Sequence, residues 1–114
     1  MTLAHPCWRP PADIYEAADA VIVTVELAGV DADELDVLLY EDALIVSGQR
    51  RLPSVAPGGR YHAAEIRQGW FRLEVALPTP IDPERAQAHY DQGLLQMTLS
   101  KPANTSLGDN RYGG

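Results

Sequence analysis

Cysteine is almost missing from this chain: a single Cys7 in 114 residues. One thiol excludes an internal disulfide and any multi-cysteine zinc site, and it fits a reducing compartment. Long apolar runs are missing too. None approaches the ~20 residues that cross a bilayer as a helix. The opening MTLAHPCWRPP has neither the basic start nor the apolar stretch of a secretory signal. These absences predict a cytoplasmic protein with no membrane span. Basic residues are few, with 9 Lys and Arg against 16 Asp and Glu and a net charge of −7. An acidic surface repels phosphate backbones, which argues against a nucleic-acid partner, and it favours solubility.

Signals for catalysis or metal binding are also scarce. His5, His62 and His89 share no ligand spacing. His5 and Cys7 would make a metal clip only if the arm that carries them were ordered, and they read as two arm residues. His89 and Asp91 point the same way on a strand, as a base and its orienting acid would. No G-x-S-x-G nucleophile elbow accompanies them. Gly58-Gly59-Arg60 is too short a signal for a phosphate loop. The acidic turns DADE (Asp31 to Glu34) and Glu41-Asp42 lack the ligand spacing of a calcium loop. The sequence therefore predicts no enzyme, no cofactor and no metal.

What is present is period-two alternation between turn signals. Val21, Val23, Val25 and Leu27 share one strand face, and Ile22, Thr24 and Glu26 the other. Leu35, Val37 and Leu39 alternate with Asp36, Leu38 and Tyr40. Glu41-Asp42 turns the chain into a strand over 43–51, with Gly48 as a bulge or a site of close approach. Phe71, Leu73, Val75 and Leu77 share a face of a strand, or strand pair, over 65–77. Trp70 then faces outward, where such a ring suits an interface. Shorter strands are expected over 13–17 and 86–90, and a closing strand over 94–100, where Leu95, Met97 and Leu99 alternate with Gln96, Thr98 and Ser100. DADE suits a single helical turn, and so does Pro83-Glu84-Arg85. Pro53, Pro57, Gly58 and Gly59 keep 52–59 irregular, with a short strand over 60–63 inside the long loop. No helical period persists beyond about two turns. Short strands with frequent turns predict an all-β fold, an immunoglobulin-like antiparallel β-sandwich of 7–9 strands. Its organisation would be a short arm over 1–11, a domain over 12–102 and a flexible tail over 103–114. Trp8 and Leu3 are the large apolar groups of that arm. Leu38 and Tyr40 lie either under the proline loop or on an exposed apolar strip.

The ordered motifs resemble the small heat-shock protein family, specifically its α-crystallin domain. They are D-I-Y-E from Asp13, V-E-L-x-G-V from Val25 to Val30, and L-x-V-S-G-x-R from Leu44 to Arg50. Then follow E-x-R-x-G-x-F from Glu65 to Phe71, Leu77-Pro78, and A-x-Y-x-x-G-L-L-x-M-x-L-x-K from Ala88 to Lys101. Each motif is weak alone, and the ordered set is strong. The resemblance implies an ATP-independent holdase that binds unfolding client proteins through apolar surface. It also implies a homodimer made by strand exchange. Arg60, Tyr61, His62 and Ala63 would form the exchanged strand, with Arg67 and Trp70 also at the interface. A groove that takes clients or a family tail segment would use Val37, Leu39, Ala88 and Tyr90.

Several positions depart from the family pattern. Ala28 replaces the usual proline of L-P-G, and Ser100 that of L-P-K. Leu73 occupies the place of a common interface arginine, and Arg72 beside it should face the other way. The family's C-terminal I-x-I/V anchor has no counterpart except Leu107. With the short arm, this predicts a dimer rather than a large shell. The rival reading is a co-chaperone or adaptor sandwich that binds a folded partner.

Overall fold

The computed structural model describes residues 6–103. Its strands are β1 (Ala12–Glu16), β2 (Ala20–Glu26), β3 (Asp36–Leu39), β4 (Ala43–Arg50), β5 (Gly69–Ala76), β6 (Gln87–Asp91) and β7 (Leu94–Ser100). They form a four-stranded sheet in the order β1-β2-β7-β6 and a three-stranded sheet in the order β3-β4-β5. Every strand pairing is antiparallel. The expected β-sandwich is present, with seven strands among the described residues.

Alternation decides which side chains meet between the sheets. Val21, Val23 and Val25 of β2 are buried, and so are Leu95, Met97 and Leu99 of β7. The opposite layer supplies Leu44 and Val46 of β4 and Phe71, Leu73 and Val75 of β5. Each β-branched or leucine side chain placed there stabilises the fold by about 1.5–3 kcal/mol. Ile81 is buried as well, although it lies in the proline-rich connection after β5. Its amide donates to the Glu41 carbonyl (3.0 Å), which ties this connection to the β3–β4 turn.

Gly48 is a site of close approach, not a bulge. β4 and β5 stay in continuous register from Ala43↔Ala76 to Arg50↔Gly69. A Cβ on Gly48 would sit 2.5 Å from the Glu34 carbonyl oxygen and 2.9 Å from Phe71 Cζ. The DADE segment forms a single 3-10 turn over Ala32–Glu34, capped where the Asp33 amide donates to Asp31 Oδ1 (3.0 Å). A second turn, Pro83–Arg85, is capped by Asp82 in the same way.

The strand expected over 65–77 begins only at Gly69. That glycine has φ +91°, a conformation that breaks the extended run before it. The segment over 60–63 forms no strand within this chain. Leu38 and Tyr40 are exposed, so they do not lie under the proline loop. Leu3, His5, Leu107 and nearly all of the expected tail lie outside the described residues.

Trp8 is not an arm residue in its packing. Its amide donates to the Trp70 carbonyl (3.1 Å), and the Arg72 amide donates to the Trp8 carbonyl (3.0 Å). This parallel bridge occupies the outer edge of β5. The Trp8 ring is only 8% exposed and lies 5.5 Å from the Phe71 ring, tilted by 56°. Residues 9–11 then carry the chain directly into β1. The outer edges of β5 and β1 therefore share one side of the sandwich, and those of β3 and β6 share the other.

Candidate functional site

The first candidate surface lies along the β3 and β6 edges. Val37 and Leu39 pair with buried Val46 and Leu44, so they point to the interior face of their sheet. Ala88 and Tyr90 pair with buried Met97 and Leu95 and point to the interior face of theirs. All four groove residues expected from the sequence thus stand on inner faces at the same open side. They do not contribute equally. Val37 is 41% exposed and Ala88 is exposed, whereas Leu39 and Tyr90 are half-buried against the core. The Tyr90 hydroxyl lies 2.7 Å from the Leu27 carbonyl and 2.8 Å from that of Val30. It donates its one proton between two acceptors, and so fixes the β2–β3 connection. Tyr90 is half-buried and held in place by its own polar end.

The second surface is the outer edge of β1. Among the described residues no strand pairs with it. Ile14 pairs with buried Val23 and so belongs to the interior face, yet it is 45% exposed. Tyr15, on the outer face, is exposed too. An open strand edge flanked by an uncovered inward-side apolar residue is a template for strand addition.

Residues expected at the dimer interface are scattered within the single chain. Arg60, Tyr61, His62 and Ala63 are all exposed in the long segment between β4 and β5. Tyr61 and Arg60 line a small depression of about 250 Å³ with Val55, Ala56 and Gly59. Trp70 lies on the outer face of β5, opposite Gln49, and is 42% exposed. The Arg67 side chain is exposed, while its carbonyl accepts a hydrogen bond from Arg50 Nε (2.9 Å). Leu73 is buried, and Arg72 points outward to pair with Glu74 (3.1 Å).

Two residues with prominent structural roles were missed in the sequence reading: Trp8, described above, and Arg50. Arg50 is the only buried charged residue among those described, at 8% exposure. It floors a cleft of about 650 Å³ that Trp8, Glu26, Leu52, Ile66 and Arg67 also line. The signal was available: Leu44, Val46, Gly48 and Arg50 follow one another at period two, and the first three face inward.

Other candidates from the sequence gain little. His89 and Asp91 do share the outer face of β6, in a shallow depression of about 180 Å³ with Thr24, Leu94 and Gln96. Among the described residues no three His, Cys, Asp or Glu side chains gather as a metal set. Cys7 is exposed, and the His5 of the suggested clip lies outside the described residues. No helix among the described residues is long and apolar enough to cross a membrane.

The sheet orders, the inward-facing rows and the open edges define an immunoglobulin-like sandwich of the α-crystallin type. A model of the Hsp20/alpha crystallin family matches residues 13–111, and the chain belongs to that family. It is 33% identical over 94 residues to heat shock protein 16 of Schizosaccharomyces pombe, covering 81% of this chain and 66% of that protein. It is 33% identical over 93 residues to the 17.7 kDa class II heat shock protein of Arabidopsis thaliana, covering 80% and 60%. The chain spans roughly three-fifths of the length of the curated relatives it matches, between 57% and 66% for the first four. Among solved structures, heat shock protein 16.0 from S. pombe superposes with a TM-score of 0.74 at 30% identity, covering 92% of this chain and 96% of that one. A small heat-shock protein from Xylella fastidiosa gives 0.77 at 26% identity, covering 96% and 100%.

Proposed function

We propose that this protein is an ATP-independent holdase that binds unfolding proteins and keeps them from aggregating. The observation that carries this reading is apolar surface left uncovered on the inner faces of a sandwich at both of its open sides. Val37 on β3 and Ile14 on β1 are the clearest cases. Each side chain of that kind contributes about 1.5–3 kcal/mol when covered. A few such contacts hold a client, yet release it when it refolds. The heat-shock names of the relatives support the same reading.

The working unit is a homodimer formed by strand exchange. Residues 60–63 of one copy add to the outer edge of β1 in the other, where main-chain donors and acceptors are open to a new strand. Ile14 is covered in the same step. The twofold arrangement makes the two exchanges equivalent. Arg67 and Trp70 flank the contact. The groove of Val37, Leu39, Ala88 and Tyr90 stays open on the far side and takes the client. No nucleotide, metal or nucleic acid takes part.

The test is heating of a thermolabile enzyme with increasing amounts of the 114-residue chain, without ATP, while light scattering is followed. The holdase reading predicts that scattering falls as the molar ratio approaches stoichiometric. Undiminished scattering at several-fold excess refutes it and favours an adaptor that binds a folded partner.

A further inference from the structure

We infer that Arg50 is a positioning residue for dimer assembly, a staple that sets the direction in which the long β4–β5 segment leaves the sandwich and keeps Trp8 on the edge of β5. The inference rests on the strand-exchange reading above.

Arg50 is the last residue of β4 and occupies the next inward position after Gly48. A charge there is costly unless its donors and its π-facing surface are matched. The matches come from three parts of the chain. Nε donates to the Arg67 carbonyl (2.9 Å), and Nη1 donates to the Ala28 carbonyl (3.2 Å). Nη1 is also 3.9 Å from Glu26 Oε1. The guanidinium carbon lies 4.4 Å from the centre of the Trp8 ring, in cation–π geometry. Trp8 in turn donates from Nε1 to the Gly69 carbonyl (3.3 Å), next to the point where β5 begins.

One side chain therefore joins the arm, the β2–β3 connection and the returning limb of the long segment. The bond to Arg67 spans 17 positions of sequence and leaves the exchanging residues 60–63 inside the closed loop. The Arg50↔Gly69 pairing already holds the two ends of the segment together, so the staple acts on direction and not on loop closure. A fixed direction of exit raises the effective concentration of residues 60–63 at the partner's β1 edge. By holding Trp8, the same staple keeps the outer edge of β5 occupied, so β1 is left as the open edge on that side. Only a planar fork reaches both carbonyls in different directions while lying on a ring. A lysine ammonium cannot do all three.

The test compares Arg50→Lys and Arg50→Met with Val75→Ala, a core variant remote from the staple that lowers stability by cavity formation. Sedimentation equilibrium reads the dimer constant, and amide hydrogen exchange reads the Trp8 and Arg72 amides that form the bridge. Both Arg50 variants should weaken the dimer about tenfold through lost effective concentration. They should also speed exchange at Arg72 by at least the same factor relative to β2 amides. Val75→Ala should lower the melting temperature and leave the dimer constant within twofold. Should Arg50→Met fail to fold, Arg50→Lys carries the comparison alone. Arg50 variants that leave the dimer constant and Arg72 exchange within twofold overturn the inference. So does equal dimer weakening by Val75→Ala at a matched loss of melting temperature. A wild-type chain that stays monomeric refutes strand exchange itself. The Arg72 exchange ratio then decides whether the staple exists without it.

Discussion

Replacing Gly48 by alanine adds one methyl group, and the structure leaves it no room. The new Cβ would stand 2.5 Å from the backbone oxygen of Glu34, 2.9 Å from Phe71 Cζ and 3.2 Å from Cε2. The carbonyl contact must open by roughly 0.8 Å to reach the ~3.3 Å of close carbon–oxygen approaches. Neither neighbour gives easily. Glu34 O belongs to the backbone of the capped 3-10 turn, and the Phe71 ring is buried against Trp8. The strain belongs to the upper part of the overpacking range, about 2–3 kcal/mol. For a domain of this size, about 4–8 °C is lost per kcal/mol, so the melting temperature should fall by roughly 8–24 °C. Circular dichroism melts of Gly48→Ala beside Gly59→Ala make the comparison. A Cβ at Gly59 meets only the Ala56 carbonyl, at 3.9 Å, so that variant should melt within a few degrees of wild type. A Gly48→Ala melt as mild as that of Gly59→Ala would refute the packing argument.

Tyr90→Phe removes the hydroxyl donor of the Val30 carbonyl, while the Leu27 carbonyl keeps the Val30 amide (3.1 Å), and should cost about 1–3 kcal/mol in chemical denaturation. The β6–β7 hairpin turns through Gln92 (φ 51°) and Gly93 (φ 81°), both left-handed. Asparagine tolerates that conformation, so Gln92→Asn should stabilise slightly. Gly93→Asn should destabilise by about 2 kcal/mol, because its Cβ would meet Ala28 Cα at 2.9 Å; equal melts for the two would count against the contact. Val37→Asp should change stability by less than about 0.5 kcal/mol, since the side chain is already half open, yet cut protection of a heated client several-fold in the light-scattering assay.

Much of the sandwich was legible because burial leaves a period-two trace. The inward rows of β2, β5 and β7 can be read directly from Val21 to Val25, Phe71 to Val75 and Leu95 to Leu99. Gly48 was legible as either a bulge or a close approach, because a glycine inside a strand demands a reason, and the unbroken β4–β5 register decides for the approach. Trp8 was not, since Pro6, Pro10 and Pro11 around it look like linker and its bridge to β5 is 63 residues away in sequence. Ile81 was hidden by the prolines on either side of it. Arg50 sat at an inward position but carries a charge, and only the tertiary fold brings the Trp8 ring and two carbonyls to it. The delayed start of β5 has a similar origin. The Arg67 carbonyl bonds to a side chain instead of a neighbouring strand, and Gly69 turns the backbone. The site was legible to the extent that it lies on strands. The inward row that holds Val37 and Leu39 follows from alternation, whereas the grouping of those two with Ala88 and Tyr90 comes from the family resemblance, and residues 60–63 form no strand within the single chain.

The proposed holdase reading puts unfolding proteins on the open inner edge of the sandwich. The most direct measurement places a photoreactive amino acid at position 37, on the inner face of β3, or at position 74, on the outer face of β5. Each protein is heated with a labile enzyme and irradiated. Holding at that edge predicts client adducts from position 37 and few from position 74. Equal labelling at the two positions, or labelling mainly at 74, would contradict it.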